Sequence, residues 1–127
     1  MKNDIDLKQF FIKMPETRRI FEEVREKIFG HFGSDNIKMK IQKTQISFYE
    51  KKSFAYVWLP LHKMKNRPDV YIVLSFGLDH KIESLRIIES VESRKNRWMH
   101  HVIIKDSSDA DDEIMRWLDQ AYKFSLR

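Results

Sequence analysis

The apolar positions of this 127-residue chain change period twice, and each change marks a change of element. Between Pro15 and His31 the period is helical. Ile20, Val24, Ile28 and Phe32 recur every four residues, and Phe21 and Phe29 widen the stripe, as on a helix with one buried face. Pro15 suits the first helical position, and Gly30 or Gly33 can supply the left-handed stop. Upstream, Asp4 to Ile12 reads as a short helix capped by Asp4 or Asp6. Met14-Pro15 breaks it, because a residue before proline avoids the helical region.

From Ile37 the period falls to two. Ile37, Met39 and Ile41 alternate with Lys38, Lys40 and Gln42, and Ile46 and Phe48 alternate with Ser47 and Tyr49, the signature of half-buried strands. Glu50 to Ser53 reads as a hairpin turn. Phe54 to Leu59 (FAYVWL) is apolar on both faces, which predicts a central strand ended by Pro60. Leu61 to Pro68 is a basic loop. Asp69 to Phe76 is a further strand stopped by Gly77, and Ser84 to Val91 and Arg97 to Lys105 are the last two, joined by a turn at Ser93 to Asn96. The helical period then returns with Ile114, Trp117, Leu118, Ala121 and Tyr122. Ser107 or Ser108 can cap this helix. Asp109, Asp111, Asp112 and Glu113 fill a first turn where the helix dipole favours negative charge, and Lys123 and Arg127 stand at the opposite end. The pattern predicts a single α+β domain, residues 1–127. Its antiparallel sheet of five or six strands, joined as a meander, carries two main helices, N- and C-terminal, on one face.

Composition adds limits. The chain is 42% apolar and 34% charged, a balance suited to a folded domain. Without cysteine there is no disulfide, thiol nucleophile or Cys-zinc site. The opening MKNDIDLKQFF lacks a signal-peptide core, and no apolar run is long enough to span a membrane. A cytoplasmic location and no membrane partner are therefore expected. The net charge of +5 is unevenly placed: residues 1–35 are neutral, 36–105 carry +8 and 106–127 carry −3. The basic middle is also the part that reads as strand, so a basic sheet between a neutral and an acidic helix is the expected surface for something anionic.

Strand parity narrows that surface. His100 and His101 are adjacent, so one faces the helices and the other the open side. They cannot readily share a metal ion, and neither a metal nor a cofactor is expected. Val102 and Ile104 are core-like, which leaves Arg97 and His101 outward. Lys43, Gln45, Ser47 and Tyr49 form a polar row on the second strand. Lys43, Tyr49, Arg97 and one of His100 or His101 are thus the candidate anion ligands, expected to converge if their strands are neighbours. Lys51, Lys52, Lys63, Lys65 and Arg67, in turns beside Tyr56, Trp58 and Tyr71, are a weaker candidate surface for nucleic acid. Residues 109–113 (DADDE) open a helix and are read as dipole-complementing. No Walker loop, GxSxG, HExxH or glycine-rich dinucleotide turn is present.

Three runs taken together are similar to a known family: FIKMPETRRIFEEVREKI, KMKIQKTQISFYEKKSFAYVWL and RWMHHVIIKDSSDADDEIMRWLDQAY. Pro15, Lys43-Thr44 with Ile46 and Phe48, Phe54-Ala55, Arg97-Trp98, His100-His101-Val102 and the Asp112 to Tyr122 helix carry the likeness. The chain resembles, from about Phe10 to Tyr122, a bacterial domain family of unknown function. Such domains occur alone or at the C-terminus of proteins labelled "predicted transport protein". The resemblance implies a fold and no reaction. The residues favour a non-enzymatic binding module whose basic sheet face accepts an anionic ligand or nucleic acid. The alternatives are a small enzyme using Tyr49, His100 or His101 in acid/base chemistry on an anionic small molecule, and a protein-interaction domain.

Overall fold

The computed structural model describes residues 2–61 and 65–127. Helix α1 (Lys2–Phe10) and a 3-10 turn (Pro15–Thr17) precede helix α2 (Arg18–Phe32). Six strands follow: β1 (Lys38–Ile41), β2 (Ile46–Tyr49), β3 (Ser53–Trp58), β4 (Ile72–Leu78), β5 (Ile87–Arg94) and β6 (Arg97–Ile104). A second 3-10 turn (Ser107–Asp109) leads into helix α3 (Asp112–Ser125). The fold is α+β with an antiparallel sheet, as the periodicity predicts.

Local chemistry sets the boundaries. The buried Thr17 hydroxyl donates to the Met14 carbonyl at 2.7 Å, closing the turn that Pro15 opens. Gly33 ends α2 with φ of 91°, a conformation that side chains other than glycine's resist. Gly30 is an ordinary helical residue. At the other end the capping expectation needs correcting. Asp106, not a serine, caps the 3-10 turn through a reciprocal capping box with Asp109, and the Asp111 carboxylate accepts from the Ile114 N–H to start α3. The serines fall inside the 3-10 turn, where the Asp106 carboxylate accepts from the Ser108 N–H at 2.9 Å.

The strand order is β1-β2-β3-β4-β6-β5. The expected meander therefore holds to β4 and then breaks, with β5 at the edge and β6 returning between β5 and β4. Residues 79–86 make this detour and are tied down on the way. The Ile82 N–H donates to the buried His100 Nε2 at 2.9 Å. Arg86 donates to the Asp111 and Glu113 carboxylates at 2.9 and 3.0 Å and to the Asp109 carbonyl at 2.6 Å. These contacts convert the acidic entry to α3 into an anchor for the crossover. Gly77 does not stop β4, which continues to Leu78.

Register assigns the two faces. One face carries Met39, Phe48, Ala55, Phe76 and His100 in one row, and Ile41, Ile46, Val57, Leu74 and Val102 in the next. The helices cover it: Phe29 meets Phe48, Phe32 meets Phe54 and Tyr122, and Trp117 lies 5.8 Å from Phe76. A bulge between Phe48 and Tyr49 lets the consecutive residues Phe54 and Ala55 both be buried. Among the described residues no helix is long and apolar enough to cross a membrane.

Candidate functional site

On the face away from the helices, Lys40, Ser47, Tyr56, Ser75, His101 and Glu89 form one row across all six strands. Its centre is closed. Ser75 is 2% exposed although it faces away from the helices, because β4 lies beneath larger side chains of β3 and β6. The Trp58 indole N–H donates to the Ser75 hydroxyl at 2.8 Å. That hydroxyl shares a 2.5 Å hydrogen bond with His101 Nδ1, and the indole and imidazole rings meet edge to face. The other imidazole nitrogen, Nε2, lies 3.9 Å from the Glu89 carboxylate. Burial pushes the His101 pKa below its ordinary value, against an opposing pull from Glu89. The ring is therefore neutral near neutral pH, with one nitrogen bound to a hydroxyl and the other beside a carboxylate.

One step along the sheet, Arg97 extends from β6 over Gly77 of β4. A Cβ added at Gly77 would lie 3.2 Å from Met99 Sδ and 3.5 Å from Arg97 Nε and Nη2. The glycine thus opens the space through which the guanidinium crosses the central strand. Across β4, Arg97 Nη2 donates to the Tyr56 hydroxyl of β3 at 3.4 Å, while on the other side Nη1 reaches Ser93 Oγ of the edge strand β5 at 3.5 Å. Both partners are neutral. Among the described residues no carboxylate pairs with this half-buried guanidinium.

The topology divides the residues that the sequence singled out. Arg97 and His101 share the face opposite the helices, with the Tyr56 and Ser75 side chains between their strand and β3. His100 points the other way: it is fully buried, stacked on Phe76 at 5.1 Å and 12°. Tyr49 lies on the same face as Arg97, but β3 and β4 stand between β2 and β6, a separation of about 14 Å at ordinary strand spacing. Lys43 is exposed in the turn between β1 and β2, outside the polar row expected for it and at the opposite end of the sheet from Arg97. The expected convergence of all four groups is therefore not formed, because the strand order separates them. Tyr56 occupies the place beside Arg97 that parity alone had given to Tyr49.

Lys51 and Lys52 lie in the exposed β2–β3 turn, where Lys52 donates to the Arg127 carbonyl at 3.2 Å. Lys65 and Arg67 lie in the connection before β4, at the other end of the sheet. Lys63 is outside the described residues, as is His62. Ser75, Gly77 and Glu89 were not singled out by the sequence. Their one signal is that Ser75 and Gly77 interrupt an otherwise apolar strand at alternate positions, which marks a face where something must approach the backbone. Among the described residues no group of three histidine or acidic side chains is arranged to hold a metal ion.

A family model described as Domain of unknown function (DUF5655) matches residues 8–125. Neither the comparison with curated proteins nor that with solved structures returns a match. With nearly its whole length matched, this chain belongs to the DUF5655 family of domains of unknown function.

Proposed function

We propose that this domain binds an anionic small molecule on the sheet face opposite its helices, with Arg97 as the principal ligand and Tyr56 beside it. The observation that carries the reading is the unpaired charge of Arg97. A guanidinium half-withdrawn from water, with only hydroxyl partners, lacks the counter-charge that such groups ordinarily have. An incoming carboxylate or phosphate would supply it through charge-assisted, bidentate hydrogen bonds. Gly77 fits the same purpose, since any side chain there would crowd the guanidinium.

A small anion suits the face better than a polymer. Glu89 stands on this face beyond His101, and the lysines and arginine of the turns are split between the two ends of the sheet. A strand of nucleic acid crossing the row would meet that carboxylate, while its phosphates would need a continuous run of cations.

The test is a titration with inorganic phosphate and with a single-stranded oligonucleotide at low salt, following the Arg97 side-chain and Tyr56 resonances by NMR. Phosphate should bind to the wild-type chain, and Arg97→Ala should weaken it by about tenfold or more, as expected for losing a charge-assisted pair. If phosphate leaves these resonances unmoved, the reading fails. If the oligonucleotide binds far more tightly than phosphate, the ligand is a polymer.

A further inference from the structure

The anion reading leaves Ser75, His101 and Glu89 unexplained. These three stand in one order: the hydroxyl is hydrogen-bonded to one imidazole nitrogen at 2.5 Å, and the second imidazole nitrogen lies 3.9 Å from the carboxylate, too far for a hydrogen bond to the neutral ring but near enough to attract a protonated one. A hydroxyl nucleophile needs a neutral base in hydrogen-bond reach, and the base needs a third group to orient it and to stabilise the imidazolium that forms. Nδ1 here takes the serine and Nε2 the carboxylate. The roles of the two nitrogens can be exchanged without altering the chemistry, because the neutral ring offers one acceptor and one donor in either tautomer.

From this geometry we infer that Ser75, His101 and Glu89 form an acyl-transfer site for small esters bearing a negatively charged group. The charged group would rest on Arg97, so substrate choice builds on the anion reading above. Ser75 and Gly77 are two residues apart on one strand, about 7 Å. The guanidinium over Gly77 therefore lies within a short acyl chain's length of the Ser75 hydroxyl. In the first step Ser75 Oγ bonds to the ester carbonyl carbon as its proton passes to His101 Nδ1. The ester C–O bond then breaks, and the departing alkoxide takes that proton as the alcohol. In the second step a water molecule gives its proton to Nδ1 and its oxygen to the acyl carbon. The bond to Ser75 breaks, the hydroxyl recovers the proton, and the carboxylic acid leaves. The Trp58 N–H, already on Ser75 Oγ, offsets negative charge on that oxygen when it is expelled. The indole also covers the hydroxyl, so it is the group that must yield when the acyl chain enters.

A fluorophosphonate tests this directly, since a base-activated serine displaces fluoride and keeps the phosphonyl group. Intact protein treated with excess probe should gain one adduct, which peptide mass spectrometry should place on Ser75. Ser75→Ala should gain none. Ser47→Ala, which removes another buried serine of the same row, should label like wild type. His101→Gln should slow labelling by about 100-fold or more, the usual contribution of a positioned base. Glu89→Gln should slow it less and shift its pH midpoint. The ester mono-4-nitrophenyl succinate should be hydrolysed, with KM raised in Arg97→Ala. A folded wild-type chain without a Ser75 adduct overturns the inference, as does equal labelling in His101→Gln, and the three side chains are then a structural polar network. The two readings fail separately. Phosphate binding without a Ser75 adduct removes this inference alone, and a Ser75 adduct without phosphate binding removes the role of Arg97 alone.

Discussion

The buried His100 should make the stability of this domain depend on pH in a window where carboxylates have not yet begun to titrate. Its ring is 0% exposed, lies on Phe76, and accepts the Ile82 N–H at Nε2. The proton of the neutral ring is therefore on Nδ1, which has no hydrogen-bond partner among the described residues. A second proton would have to displace the Ile82 amide and charge a ring inside the core, so burial holds the pKa below its ordinary value. His101 is shifted the same way, also chiefly by burial. From about pH 7.5 upward both histidines are neutral in the folded and unfolded chains and contribute no pH dependence. Below it the unfolded chain takes up protons that the folded chain refuses, so stability falls as the pH falls. The slope is about 1.4 kcal/mol per pH unit for each such group. Were the folded chain to refuse both protons entirely, the ordinary pKa of the unfolded rings would set a ceiling of about 2–3 kcal/mol for the pair between about pH 7.5 and 5.5. Urea unfolding followed by tryptophan fluorescence should show the midpoint falling as the pH is lowered, by about 1 M where that ceiling is reached, given a usual m-value of about 1–3 kcal/mol/M. His100→Gln keeps an acceptor for Ile82 and removes one titrating group, so about half the slope should vanish. Asp79, Asp106 and Asp111 have lowered pKa values. Their contribution is lost only in more acidic solution, as the pH falls through those lowered values, and does not enter this window. A midpoint that is the same at both pH values would refute the argument that these rings are held neutral by burial.

Two further outcomes follow from the packing. Trp117→Ala removes a ring buried between α3 and Phe76 and should cost about 3–5 kcal/mol in urea unfolding; a loss below about 1 kcal/mol would mean that α3 docks by another face. Gly77→Ala places a methyl group 3.2 Å from Met99 Sδ and 3.5 Å from the Arg97 guanidinium. Both are ends of flexible side chains that can shift, so stability should change by less than about 1 kcal/mol while phosphate affinity falls with the displaced Arg97. If the Gly77→Ala variant binds phosphate as tightly as wild type, the glycine has no part in the site.

The sequence and the structure agree where one side-chain period decides the outcome. The four-residue spacing of Ile20, Val24 and Ile28 and the i, i+3, i+4 spacing of Ile114, Trp117 and Leu118 both became buried helix faces, since an amphipathic stripe can be satisfied in only one way. Within β6 the alternation of side chains is kept, with Val102 and Ile104 inward and Arg97 and His101 outward. Parity says nothing, however, about which strands are neighbours. The detour of residues 79–86 puts β6 against β4, and this single choice decides that Arg97 meets Tyr56 and not Tyr49, and that His101 meets Ser75 and Glu89. The choice is held by Arg86 on the entry to α3 and by Ile82 on His100. Both are contacts between residues far apart in the chain, and neither residue type is unusual for its place. The acidic run at 109–113 illustrates the same limit. Its composition suffices to predict a helix start, and Asp111 does start one. Its second use, anchoring the crossover through Arg86, exists only once the sheet is assembled. A site built from a row across six strands is encoded one residue per strand. Its members therefore become neighbours through topology, and the chemistry of the row depends on the crossover being held in place.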